Sequence, residues 1–463
     1  MHQHCCNLTI FSRYQCKTIT GKIQNLTLSN LMKKINIHKI LLSLSLLFLG
    51  IFLVLFIADN LSNAGPFLIL FFITLAFSVR GFHATKGLSY TVWIFTGVAA
   101  AMYYPQYFIS VGNFKLSVLI VPLLQLIMFG MGSQMSFKDF LGIIKMPKGV
   151  IIGIFAQFTI MPLVALAIAS IFNFPPEIAA GIILIGCVPS GLASNVMSFL
   201  AKANVPLAVT LAAITTLLSP LITPVLMKYI AGTMIEVDPW GMMLGMLNMI
   251  ILPVIAGFIF NLFLNFKSIS KQSKTIQLAT FPVVVILTAM VYVKAEGASS
   301  MEFFIYFLKR MGLFYVLPIF AAILFNISLK GNKKVMDTIL SYVSMVGIAF
   351  IVIVITAAGR ESLLVVGVAL ILTSLLHNLS GYSLGYFLAW IFKMPEKDRR
   401  TIAFEVGMQN GGLASGLALE MGKIATVGLA PAVFGPLMNI TGSILANFWR
   451  GRPVKEEKEE ISK

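Results

Sequence analysis

With 463 residues, 58% of them apolar and 11% charged, and a mean hydropathy of +0.92, the chain lies well outside soluble globular composition and predicts an all-α polytopic membrane protein. Its 34 Lys and Arg against 17 Asp and Glu give a formal charge of +17, but most of it falls in short loops between apolar runs, which argues for membrane topology and against a nucleic-acid partner. Cys5, Cys6 and Cys16 sit in the N-terminal tail and Cys187 in an apolar segment, so neither a disulfide framework nor a zinc site is implied.

Residues 1–39 hold six Lys or Arg and no acid, and read as a basic cytoplasmic tail. Met32-Lys33-Lys34 resembles an ordinary start for a membrane protein, which makes 1–31 an upstream extension or a targeting segment; a single Arg, Arg13, gives little support to an organelle transit peptide. Fourteen hydrophobic segments follow, near 40–58, 66–79, 88–103, 115–137, 148–172, 176–201, 206–231, 239–265, 276–293, 311–328, 336–358, 363–392, 401–421 and 430–449. Residues 294–310, with Lys294, Lys309 and Arg310, read as a loop or an interfacial amphipathic piece.

The loop charges test that count. With the tail inside, the inside loops hold Arg80 and Lys86; Lys138, Lys145 and Lys148; Lys202; Lys267, Lys271 and Lys274; Lys330, Lys333 and Lys334; and Lys393, Lys397, Arg399 and Arg400. The outside loops hold Asp59, Glu177, Glu236 and Asp238, with scattered bases such as Arg360 and Lys423. The pattern predicts a multi-pass protein of the cell (inner) membrane with both termini cytoplasmic, an organelle envelope being the second choice.

Fourteen segments split seven and seven at the acidic loop 232–238, and an odd number per half inverts the halves, the plan of many secondary transporters. In each half the sixth segment is interrupted: CVPSGLASN, Cys187 to Asn195, and EVGMQNGG, Glu405 to Gly412. Matched interruptions predict two crossing broken helices around a midplane site. An acid there costs about 2.5–3.5 kcal/mol on insertion scales, so Glu405 needs a partner. Gln157, Ser194, Asn195, Gln409 and unwound carbonyls supply hard oxygen donors, which suit sodium or a proton. Half-helix N-termini favour an anionic substrate.

Blander readings exist for each residue. Glu405 could be a structural acid paired with a lysine, but no Lys or Arg lies in the core segments beside it. Gln157, Gln409 and Asn410 could be packing amides, and Asn195 beside Gly191 a polar kink. Gly381 to Gly385 matches G-x-S-x-G yet lies in a long apolar run, and is expected to be a helix contact like Gly149 to Gly153. His377 and Asn378 are expected to bond between helices.

IMFGMG (Ile127 to Gly132), GIFAQFTIMP (Gly153 to Pro162), the Pro189 to Asn195 break, LLSPLITP (Leu217 to Pro224), EVGMQNGGLA (Glu405 to Ala414) and NITGSILANFW (Asn439 to Trp449) together resemble the bile acid:sodium symporter family. The resemblance covers Ser89 to Leu264 and Ile339 to Trp449, and implies a ten-helix core with paired crossing helices. It implies one sodium site from Gln157, Glu405, the carbonyls of Val406 and Met408, and Gln409, and another from Ser194, Asn195, Glu405 and two hydroxyls on the next helix. Where typical members carry those hydroxyls this chain has Ala208 and Ala212, so the first site needs a substitute such as Thr210 or Thr215, or is lost; loss would make transport of a monoanion electroneutral. The substrate positions are Leu192, Asn410, Met438 and Asn439, with Leu192 in place of a Thr and Met438 in place of a His.

The expected organisation is a basic tail 1–39, an extra helix pair 40–87, a first core part 88–265, an inserted pair 266–335, a second core part 336–449 and a charged tail 450–463. The extra pairs would shield the core from lipid or contact a second copy. The expected function is sodium-coupled import of an organic monoanion, bile-acid-like or another small carboxylate, with Na+, the anion and lipid as partners and no enzymatic activity. A sodium/proton antiporter and a proton-coupled anion transporter are the alternatives.

Overall fold

The computed structural model describes residues 37–82, 85–136, 142–264, 271–292, 300–329, 332–452 and 454. The expected features of residues 1–36 and 455–463 lie outside them. Two compact units divide the chain, Met1–Ala99 and Ala100–Lys463.

In the first unit, α1 (Ile37–Ile57) ends where Asp59 turns left-handed at φ 54°, and α2 (Leu61–Ser78) returns alongside it. The return is pinned at one end by Ser78 Oγ donating to His38 O at 2.9 Å. Phe48 and Phe67 pack midway along the pair, their centroids 6.4 Å apart. The helix α3 (Ser89–Tyr103) begins in this unit, and Ser89 Oγ donates to Ala76 O at 3.0 Å.

The second unit carries a two-residue hairpin, Ser110–Val111 with Phe114–Lys115, turning at Gly112 with φ 57°; it is a small β addition to the expected all-helical chain. The helices α4 (Ile120–Gln134), α5 (Pro147–Phe172), α6 (Pro176–Cys187), α7 (Leu192–Leu200) and α8 (Val205–Ile230) follow. Next come α9 (Pro239–Leu264), α10 (Lys271–Tyr292), α11 (Met301–Ser328) and α12 (Lys333–Ala358). The last four are α13 (Arg360–Ile391), α14 (Glu396–Gly407), α15 (Gly411–Glu420) and α16 (Leu429–Arg450). Starts follow local chemistry: Pro opens α5, α6 and α9, where a missing N–H costs nothing, and Asn204, Asp238 and Asn410 cap α8, α9 and α15 through their side chains.

Among the described residues ten helices are long and apolar enough to cross a membrane. The chain is thus an all-α polytopic membrane protein apart from the small hairpin. Of the other four segments expected to span, α3 has 15 residues, 276–293 falls in α10, whose apolar part Thr280–Tyr292 is shorter than a span, and the two interrupted ones are each divided into shorter halves.

α4 and α9 cross in backbone contact. A Cβ at Gly132 would sit 2.0 Å from Val254 O, and one at Gly257 2.0 Å from Phe129 O, so the two backbones touch where only glycine fits. Gly132→Ala is expected to lower stability by about 1–3 kcal/mol through overpacking, read as an earlier midpoint in detergent unfolding.

Of the two readings of 294–310, loop or amphipathic piece, residues 300–310 take the second. They are helical and run through a π-turn, Gly312–Val316, into Leu317–Leu329. The charge is tolerated because the Arg310 guanidinium lies 5.1 Å from the Tyr306 ring and 5.5 Å from Phe314, and donates to Asn248 Oδ1. Asn248 belongs to the π-turn Leu247–Ile251 inside α9, against which α10 and α11 pack Val284, Met311 and Phe314. The expected segment 363–392 likewise starts earlier, at Arg360, whose Nε donates to Met102 O at 2.6 Å.

Candidate ion and substrate site

Two helix pairs in the second unit share one backbone plan. Asn173 and Lys393 are left-handed (φ 47° and 52°), Pro175 and Pro395 follow as N-caps, and helices of 12 residues, α6 and α14, come next. Each then breaks, restarts as α7 or α15, and ends at a left-handed residue, Lys202 (φ 54°) or Gly422 (φ 70°). The partners lie 220 positions apart (173 and 393, 175 and 395, 202 and 422).

The breaks cross each other. Ser190 and Gln409 form an antiparallel bridge, Gly191 N donates to Met408 O at 3.0 Å, and Asn410 N donates to Pro189 O at 2.9 Å. A Cβ on Gly191 would lie 2.9 Å from Gln409 O, so the crossing needs glycine there. The carbonyls freed at each first half are met by side chains: Thr223 Oγ1 donates to Cys187 O (2.7 Å), Gln157 Nε2 to Val188 O (2.9 Å), Gln409 Nε2 to Val406 O (2.6 Å) and Asn378 Nδ2 to Gly407 O (2.7 Å).

Glu405 sits buried on α14 within this crossing. Ser190 Oγ donates to its Oε2 and Ser194 Oγ to its Oε1, both at 2.6 Å, and among the described residues no Lys or Arg forms an ion pair with it. Gln157 Nε2 also donates to Gln409 Oε1 at 2.7 Å, linking α5 to the second break. Gln157 Oε1 and Asn195 Oδ1 are buried without a hydrogen-bond partner among the described residues. The centre thus offers a carboxylate, amide oxygens, hydroxyls and helix-terminal carbonyls, all hard oxygen donors.

Gln157, Ser194, Glu405, Val406, Met408 and Gln409, singled out from sequence, meet here in one hydrogen-bonded cluster. Asn195 does not bond to Glu405; Ser194 does. Of the substitutes named for the missing hydroxyls, Thr210 donates to Pro206 O (2.9 Å) and Thr215 to Leu211 O (2.8 Å), the bond one turn back that a helical threonine readily makes, which leaves lone pairs on both oxygens. Asn410 caps α15 at Leu413 N (3.0 Å), Met438 O accepts from Tyr382 OH (3.3 Å), and Leu192 and Asn439 are half-buried on α7 and α16.

His377 Nε2 lies 3.0 Å from Met161 O, while its Nδ1 has no hydrogen-bond partner among the described residues. Gly381 and Gly385 do form a helix contact: a Cβ on Gly381 would lie 2.7 Å from Gly407 Cα, so α13 presses on α14 directly beside the break. Gly149 and Gly153 meet Leu207 and Leu211 in the same way.

Two residues escaped the sequence reading. Ser190 was passed over, although its place in the break opposite the acid was a signal. Arg400 was taken for a loop charge, and no base was expected near Glu405 in its segment. It is instead buried on α14, five residues before Glu405, with Nε on Glu396 Oε1 (2.8 Å), Nη1 on Trp449 O (3.2 Å) and Nη2 on Arg452 O (3.0 Å). Trp449 O belongs to the last turn of α16 and Arg452 O lies just past it, at the helix end whose dipole favours a cation.

Comparison with known proteins agrees with this geometry. A family model described as "Sodium Bile acid symporter family" matches residues 121–302. The chain is 27% identical to the probable sodium/metabolite cotransporter BASS1, chloroplastic, of Arabidopsis thaliana, over 80% of its own length and 75% of that protein. It is 24% identical to the rice (Oryza sativa subsp. japonica) protein of the same description, over 80% and 74%. It is 32% identical to the uncharacterized sodium-dependent transporter YocS of Bacillus subtilis, over 82% of this chain and 96% of that one. Paired crossing breaks, a buried carboxylate among amides and a relative matched almost end to end place this chain in the sodium bile acid symporter family, whose related members here are transporters and not enzymes.

Proposed function

We propose that the chain couples sodium entry to import of a small organic monoanion by alternating access, from the cell membrane and with both termini cytoplasmic. The observation that carries this is Glu405, buried at the crossing of two broken helices with hydroxyls and amide oxygens around it and no ion-paired base among the described residues. A buried carboxylate in that state is compensated well by a cation. Gln157, Glu405, Gln409 and the Val406 and Met408 carbonyls would hold one sodium. Ser190 would orient the carboxylate.

Once the ion offsets Glu405, the half-helix N-termini of α7 and α15 can accept an anion beside Leu192, Asn410, Met438 and Asn439. Half of those side chains are apolar, which suits an amphipathic or branched carboxylate. Coupling follows because each ligand favours the arrangement that the other needs.

A thermal-shift screen of purified protein against a panel of carboxylates tests the proposal. We expect one or more to raise the midpoint in sodium chloride and not in choline chloride. Equal shifts in both salts would point to proton coupling, and sodium-driven proton exchange with no responding carboxylate would point to an antiporter.

A further inference from the structure

The π-turn of α9, Leu247–Ile251, is tied to two other helices through one residue. A π-turn replaces the i→i+4 backbone bonds by i→i+5 bonds and is rare without support from outside the helix. Here Gln125 Nε2 on α4 donates to Asn248 O at 3.3 Å, and the Arg310 guanidinium on α11 donates to Asn248 Oδ1.

The residues beside that knot bear on α15. Leu124 adjoins Gln125 and Met249 adjoins Asn248. A Cβ on Gly416 would lie 2.5 Å from Leu124 Cδ2 and 3.4 Å from Met249 Sδ, and one on Gly412 would lie 3.6 Å from Leu124 Cδ1. Gly412 and Gly416 are one turn apart, so Leu124 and Met249 rest on a glycine face of the half-helix that follows the second break. One turn on, the Glu420 carboxylate occupies the space that a Cβ on Gly245 would take, so α9 and α15 run against each other in opposite directions.

Arg310 lies nine residues, about 13.5 Å, into α11, and Asn248 nine residues into α9. A guanidinium at that depth is expensive, and among the described residues no Asp or Glu forms an ion pair with it. The rings of Tyr306 and Phe314 flank it. An apolar side chain would fill the same place without the charge, so what the base adds is its bond to Asn248.

We infer that Arg310 is a positioning residue for transport: by holding Asn248 it fixes the π-turn of α9, and through Met249 and Leu124 it sets how firmly α15 is seated against α9 and α4. The inference rests on the proposed alternating-access reading and deepens it, since α15 must shift against α4 and α9 for the site to open to each side in turn. It gives α11 a task that lipid shielding alone does not require.

The test is amide hydrogen exchange of the purified full chain in lipid nanodiscs, read peptide by peptide in sodium chloride and in choline chloride. For Arg310→Met we expect exchange about tenfold faster at Leu247–Ile251 and also at Gly411–Glu420, the equivalent of one lost hydrogen bond to a charged group, with α5 and α13 as in wild type. Arg310→Lys still reaches Asn248 Oδ1 with one donor and should restore most of the protection. Asn248→Leu should reproduce the loss and add little to Arg310→Met, and it keeps the test decisive where Arg310→Met fails to fold. Faster exchange confined to α9, α10 and α11, faster exchange spread evenly over every helix, or no change at all overturns the inference and leaves the sodium reading intact. Identical wild-type exchange of α14 and α15 in the two salts overturns the sodium reading instead.

Discussion

Glu405→Ala abolishes sodium-stimulated uptake in proteoliposomes, of whichever carboxylate the thermal-shift screen returns, and leaves a folded protein. The expectation follows from where the charge sits. Both carboxylate oxygens are engaged by Ser190 and Ser194 at 2.6 Å, so removing the group strands two buried hydroxyls but no opposite charge. Ser194 has a second acceptor, Gly191 O at 2.7 Å, so the crossing keeps part of its bonding. Sodium loses its one formal counter-charge at the site, and coupling loses its driving term. Glu405→Gln is the sharper variant: it preserves size and one acceptor oxygen, and its NH2 can donate to a serine hydroxyl that turns its own proton away, as Ser194 can to Gly191 O. Without the charge it should also lack sodium stimulation. Sodium-stimulated uptake at the wild-type rate in both variants would remove Glu405 from the mechanism.

Arg400→Met is expected to cost about 2–4 kcal/mol, because a buried guanidinium bonded to several acceptors has no substitute. Its partners are Glu396 Oε1, Trp449 O and Arg452 O, and its ring partner is Trp449, 5.5 Å from the guanidinium carbon to the centroid. Arg400→Lys should recover little, since a single ammonium cannot reach three acceptors in a plane. Unfolding midpoints in detergent, without sodium, read the effect directly. An Arg400→Met protein as stable as wild type would make the residue a loop charge after all.

Much of the candidate site was legible before any coordinates. Glu405, Gln157 and Gln409 stand out because polar groups in apolar segments are expensive and therefore informative. The two breaks stand out because glycine and proline interrupt long hydrophobic runs at matched places. The broken α6–α7 and α14–α15 pairs fell where the sequence put them, as did the glycine contacts of α13 and α5.

Other features were illegible for stated reasons. Arg400 and Arg310 look like ordinary loop charges, because a sequence shows the cost of a buried base but not the carbonyls, amide or rings that offset it. What the sequence leaves open for residues 300–310, loop or amphipathic piece, is decided by those contacts. Ser190 is one serine among many until the second break is folded against the first and brings Glu405 to it.

Hydropathy, charge and interruption are properties of the chain itself, so the amino acids alone established the membrane class, the two breaks and the acid between them. Which hydroxyl meets which oxygen depends on how α7 and α8 are rotated against the crossing, and that rotation is set by packing between residues hundreds of positions apart. Ser190 on Glu405 and Thr223 on Cys187 O are consequences of that packing, and no local pattern contains them.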